Sequence, residues 1–137
     1  METRHKRQPG VVLVDDEPYI RMMLRVVLAR LGFQVLSEAG NGEEAIYRCR
    51  EAKPDLVLLD VNMPGMRGDA ALRTILAEKP GIVAIMLTAE SDSRVVRRCI
   101  EMGAANYVRK DIPVDEIAAR IRKTWNGKHP DSTFEVV

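Results

Sequence analysis

The strongest constraint in this 137-residue chain is a pair of unbroken apolar runs that each end in aspartate. Val11-Val12-Leu13-Val14 leads into Asp15-Asp16. Leu56-Val57-Leu58-Leu59 leads into Asp60, which opens the loop Asp60-Val61-Asn62-Met63-Pro64-Gly65. A strand with one face in water alternates apolar and polar residues. A strand without alternation is buried on both faces, as in parallel sheets covered by helices on each side. Polar residues at the C-terminal ends of such strands lie where open α/β sheets bind ligands. Three carboxylates meeting at that edge repel one another and favour a hard divalent cation, which takes oxygen ligands. The sequence therefore predicts an acidic pocket of the magnesium type.

Strand-like and helix-like segments alternate along the rest of the chain. Glu17 to Leu31 carries Ile20, Met23, Leu24, Val27, Leu28 and Leu31 on one helical face, and Gly32 closes it. Phe33 to Leu36 is a short second strand, and Asn41-Gly42 opens a helix that stops before Pro54. After the strand ending at Asp60, a helix is expected over Ala70–Glu78 and a strand over Ile82–Leu87, which delivers Thr88. Ser91 to Met102 is helical, Ala105–Val108 is a fifth strand, and a last helix spans Pro113 to Trp125, with Pro113 in its first turn. Five such βα units with short connections imply an α/β fold, a doubly wound five-stranded parallel sheet with helices on both faces. Strand order 2-1-3-4-5 brings Asp15, Asp16 and Asp60 into one crevice at the switch point.

Size and charge narrow the function. The length is that of one domain, expected at residues 10–126, between a basic tail at 1–9 and a C-terminal tail or linker start at 127–137. A net charge of +1 does not suit a dedicated nucleic-acid surface, and Arg4-His5-Lys6-Arg7 reads as a solvated tail. No stretch suits a signal peptide or a membrane span, and Cys49 and Cys99 lack metal-ligand spacing, so a cytoplasmic protein with reduced thiols is expected.

With those residues in view, the chain resembles the receiver domains of two-component response regulators from Gly10 to Trp125. The resemblance rests on Asp15-Asp16, on Asp60-Val61-Asn62-Met63-Pro64-Gly65-Met66-Arg67-Gly68, on Thr88-Ala89, and on Lys110 after the fifth strand. Around the phosphorylation loop and Thr88-Ala89-Glu90 it is similar to single-domain chemotaxis-type receivers, which have the flavodoxin-like (βα)5 fold. It departs from many members at Asp111, where they carry a proline after the lysine.

The resemblance implies roles that ordinary structure would not assign. Asp60, otherwise a loop or cap aspartate, would accept a phosphoryl group. Asp15, Asp16, Asp60 and the backbone carbonyl of Asn62 would hold Mg2+, with Asp16 the more direct of the acidic pair; its ordinary role would be to cap the helix before Pro18. Lys110 would neutralise the phosphoryl oxygens, Thr88 would donate its hydroxyl to them, and Tyr107 would serve as an aromatic switch. Asn62 and Glu90 would flank the path of a water that hydrolyses the acyl phosphate. Arg94, Arg97 and Arg98, with Tyr107, would form an output face.

The implied function is a phosphorylation-controlled signalling module that catalyses only its own phosphorylation and dephosphorylation. Its partners would be a sensor histidine kinase or phosphotransfer protein, and an output protein or a phosphorylation-dependent second copy. The alternative is the N-terminal receiver of a DNA-binding transcriptional regulator. A flavin carrier on the same topology is disfavoured, because Asp15-Asp16-Glu17 would repel a flavin phosphate. A degenerate, phosphate-independent receiver is disfavoured by the complete pocket.

Overall fold

The computed structural model describes residues 8–89 and 93–130. Five strands alternate with five helices: β1 (Gly10–Val14), α1 (Pro18–Leu31), β2 (Gln34–Ala39), α2 (Gly42–Ala52), β3 (Leu56–Asp60), α3 (Gly68–Glu78), β4 (Val83–Thr88), α4 (Ser93–Met102), β5 (Asn106–Arg109) and α5 (Val114–Lys128). All strand pairs are parallel, in the order β2-β1-β3-β4-β5 expected from the sequence. Every residue of β1, β3 and β4 is buried, which is why none of them alternates in polarity.

Successive side chains of each strand point to opposite faces, so the sheet divides its apolar residues between two cores. Val12, Val14, Val57, Leu59 and Met86 pack with Ala45 and Ile46 of α2, Leu72 and Ile75 of α3, and Val95 and Cys99 of α4. Val11, Leu13, Leu58, Ile85 and Val108 pack with Leu24 and Leu28 of α1 and with Ile117, Ile121 and Trp125 of α5. Cys99 is fully buried and Cys49 half-buried, both as free thiols.

Several boundaries differ from the sequence expectation; β4 and β5 each begin and end one residue later than expected, and α1 begins at Pro18 and not Glu17. The second strand is Gln34–Ala39, displaced toward its C-terminus from Phe33–Leu36. Ser37 and Glu38 break the apolar pattern because β2 is an edge strand; Glu38 pairs with Arg25 at 2.7 Å and Arg21 at 3.3 Å on α1. The last helix continues to Lys128, past Trp125, so residues 127 and 128 belong to it and not to a tail. The His129 ring stacks on buried Trp125, which meets Phe33 edge-on at 5.4 Å. Pro113 is the N-cap of α5, one position before its first turn. Pro9, counted with the tail, is buried, and its carbonyl accepts the Gln34 N–H. Residues 1–7 lie outside the described residues.

A further difference bears on the site. The third helix begins at Gly68, before Ala70, and the Gly68 N–H donates to the Val61 carbonyl at 3.0 Å. This closes the loop after Asp60 and lays the start of α3 directly on the end of β3. A Cβ at Gly68 would sit 1.8 Å from the Asp60 carbonyl oxygen, so no other residue fits without moving the backbone. Gly68→Ala is therefore expected to lower stability in urea unfolding by about 2 kcal/mol, the scale of an overpacked core site. An unchanged midpoint would show that α3 shifts freely away from Asp60.

Candidate functional site

The parallel register places the acidic residues side by side. Val14 on β1 is opposite Leu59 on β3, so the next residue on each strand, Asp15 and Asp60, emerges at the same edge. Both aspartates are almost wholly buried. Lys110 follows β5, and its side chain crosses the end of β4 to reach them; its own backbone is fixed by an N–H bond to the Thr88 carbonyl at 2.9 Å. The Lys110 ammonium lies 2.7 Å from Asp15 Oδ2, 3.0 Å from Asp60 Oδ2 and 3.5 Å from Glu17 Oε1.

The other oxygen of each buried aspartate is held by backbone. Asp15 Oδ1 accepts the Glu17 N–H at 2.9 Å, and Asp60 Oδ1 accepts the Asn62 N–H at 3.3 Å. The Asp15 carbonyl accepts from the Arg21 guanidinium on α1. The two Oδ2 atoms are within ion-pair range of Lys110, yet neither receives a well-directed hydrogen bond among the described residues. Exposed Asp16 completes the group, and one carboxylate oxygen from each of Asp15, Asp16 and Asp60 lies within 4.8 Å of the others. Asp16 is not the cap of α1: that position belongs to Glu17, whose side chain makes no capping bond.

One ammonium does not offset three clustered carboxylates. Burial, then the charge on Asp15, push the Asp60 carboxyl up to about 7, against the opposing pull of Lys110. Asp15 is raised as well, chiefly by burial. Burial alone would depress Lys110, but its pairing with Asp15 and Asp60 outweighs that and holds it as the ammonium. An all-oxygen donor set with two buried Oδ2 atoms lacking directed donors fits a hard divalent cation.

The remaining expected residues are distributed around this centre. Asn62 is exposed in the loop after β3. Thr88 is buried at the end of β4, one residue past Leu87, the register partner of Asp60. Tyr107 is half-buried on the face shared with α3 and α4, over a groove lined by Ser93, Val96, Arg97, Ile100 and Glu101. Arg98 does not belong with that groove: it faces α3, 3.7 Å from Asp69. Glu90 lies outside the described residues. Asp111 pairs with Arg109 through two bonds of 2.9 and 2.6 Å, which tie down the chain after Lys110. Sequence reasoning gave no site role to Glu17 or Arg21. The available signal was an acid at a helix cap position, where Ser, Thr, Asp or Asn is usual.

A sheet edge that gathers two buried aspartates, a third beside them and a lysine is the arrangement of a phosphorylation-controlled signalling domain. The chain belongs to the response regulator receiver domain family, whose family model matches residues 11–122. It is 35% identical over 116 residues to the chemotaxis protein CheY of Bacillus subtilis, covering 85% of this chain and 97% of that protein. It is 39% identical over 122 residues to the DNA-binding response regulator MtrA of Mycolicibacterium smegmatis, covering 89% of this chain but only 51% of that protein. Among solved structures, the CheX–CheY–BeF3–Mg2+ complex from Borrelia burgdorferi matches with TM-score 0.80 and 26% identity, covering 85% of this chain and 88% of that one.

The raised Asp60 carboxyl fixes the sign of a pH effect in metal-free protein. Folded Asp60 holds its proton up to about 7, whereas the unfolded residue loses it near 3.8. Its stabilising contribution is therefore full below the unfolded value and is lost as pH rises through the folded one. Between these limits stability should fall by up to ~1.4 kcal/mol per pH unit from this group. Urea unfolding in a chelator should show that slope, and Asp60→Asn should flatten it. Equal slopes for both proteins would contradict the assignment.

Proposed function

We propose that Asp60 is the phosphoryl acceptor of this receiver, and that Asp15, Asp16, Asp60 and the Asn62 carbonyl hold Mg2+ beside it. The observation that carries this reading is the Lys110 ammonium shared by two buried aspartates within a three-carboxylate cluster. The reaction is in-line transfer from a phosphohistidine on a sensor kinase or phosphotransfer protein. An Asp60 oxygen forms the new O–P bond as the P–N bond to the imidazole breaks. Bound Mg2+ supplies positive charge that keeps Asp60 ionised and offsets the charge of the phosphoryl oxygens.

The protein's own groups do the positioning. Backbone N–H donation from Asn62 orients one Asp60 oxygen. Lys110, short of directed partners, is placed to follow the charge from the carboxylate onto the phosphoryl group as a compact cation. Thr88, at the end of the neighbouring strand, donates its hydroxyl to a phosphoryl oxygen, and Tyr107 repacks in response. Hydrolysis of the acyl phosphate returns the domain to rest, so it acts on itself and on no small-molecule product. Asn62 and Glu90 orient the hydrolytic water.

The output surface in this reading is the groove between α4 and β5. Ile100 there is 43% exposed, Arg97 adds positive charge, and Tyr107 connects the groove to the strand next to Thr88. It would bind an output protein or a second copy more tightly after phosphorylation, through differential contacts in the two states. DNA binding is not part of this reading: the described residues form the receiver fold. No helix among them is long and apolar enough to cross a membrane, in keeping with a cytoplasmic protein.

With acetyl phosphate and Mg2+, intact-mass spectrometry should show addition of one phosphoryl group, abolished by a chelator and by Asp60→Asn. Labelling of Asp60→Asn to the same extent would overturn the acceptor assignment. Arg97→Glu should weaken binding of the identified output partner roughly tenfold, ~1.4 kcal/mol, while leaving phosphorylation intact. Binding that survives both Arg97→Glu and Tyr107→Ala would place the output on another face.

A further inference from the structure

Among the described residues, the Lys110 ammonium has three carboxylate neighbours, of which two belong to the cation cluster. Asp15 and Asp60 each offer an oxygen to the group that includes Asp16. The third neighbour, Glu17 at 3.5 Å, does not. Its position is unusual for an acid of its length. Glu17 is the N-cap of α1, where a short side chain normally bonds back to the helix, yet it makes no such bond. The side chain is 58% exposed at the rim of the pocket and points toward Lys110. Its backbone N–H is held by Asp15, so the residue is tied to the cluster through its main chain and leaves its carboxylate free to serve the lysine.

A divalent cation at the cluster and Lys110 would draw on the same two carboxylates, Asp15 and Asp60. When the cation occupies the cluster, like-charge repulsion disfavours the ammonium beside it, and no phosphoryl group is yet present to receive it. We propose that Glu17 is a positioning residue that holds Lys110 at the mouth of the pocket in the cation-loaded, unphosphorylated state. The ammonium then stays where the incoming phosphoryl oxygens arrive. This rests on reading the three aspartates as the Mg2+ site, but it assigns a role to a residue outside that set. It also makes Glu17 contribute to cation affinity indirectly, by accepting the lysine that the cation displaces.

A double-mutant cycle tests this, with Mg2+ affinity measured by calorimetry in the full chain. Glu17→Gln should weaken Mg2+ binding roughly tenfold, the scale for loss of an outer partner of a metal site. In a Lys110→Ala background the same change should cost less than about twofold, because its effect is transmitted through the lysine. An equal loss in both backgrounds would mean that Glu17 acts only as a surface charge, and no loss in the native background would remove its role; either result overturns the proposal. A second measurement needs no Lys110 variant. The ¹⁵N signal of the Lys110 ammonium in Mg2+-saturated protein should move on Glu17→Gln, and an unmoved signal overturns the proposal. If the unaltered protein does not bind Mg2+, the reading of the aspartate cluster fails as well; Mg2+ binding lost on Asp16→Asn, with no effect of Glu17→Gln, defeats only the inference about Glu17.

Discussion

The ion pairing of Lys110 with Asp15 and Asp60, at 2.7 and 3.0 Å between largely buried side chains, is the interaction around which the structure is arranged. Buried charges are costly unless paired, and removing one partner of such a set leaves the others uncompensated. Here, among the described residues, the Lys110 ammonium faces three clustered carboxylates, so the compensation is incomplete. Burial first, and then the charge on Asp15, raise the Asp60 carboxyl to about 7. In the function proposed above, the same crowding of carboxylates would make the site responsive to a cation and then to a phosphoryl group.

The fold exists in the form needed to set up this deficit. The order β2-β1-β3-β4-β5 makes β1 and β3 neighbours, so two aspartates distant in sequence leave the sheet together. The lysine comes from the far edge strand and must cross β4, which places the Thr88 end of β4 between donor and recipient. β4 in turn pairs with β5, where Tyr107 sits over the α4 groove. Gly68 holds the loop from the other side, because α3 starts in direct contact with the Asp60 carbonyl. Packing of the two helical layers is aliphatic and tight, and the fully buried strands give the edge a rigid base.

The fold was legible because its central strands are buried on both sides and therefore carry no polar interruptions. Asp15, Asp16 and Asp60 were legible for a related reason: charged residues that end such runs have nowhere to go but the sheet edge. The edge strand was less legible, since Ser37 and Glu38 face water or α1 and erase the apolar signal. Past Trp125 the helix was hidden because Asn126 and Gly127 resemble a terminus, whereas stacking of His129 on Trp125 depends on tertiary packing. Arg98 looked like a neighbour of Arg97 in sequence, but adjacent helical residues point about 100° apart, and it turns to Asp69. Glu17 was overlooked because its meaning comes from Lys110, far along the chain and only brought near by folding.

The most direct test of the account is a crystal structure of the protein with Mg2+ and beryllium trifluoride. The account predicts beryllofluoride density on a carboxylate oxygen of Asp60 and a metal ion bounded by Asp15, Asp16 and Asp60. It also predicts that the Lys110 ammonium has left Asp15 for the fluoride atoms. Beryllofluoride absent from Asp60, or Lys110 still bridging Asp15 and Asp60 beside an occupied site, would contradict it.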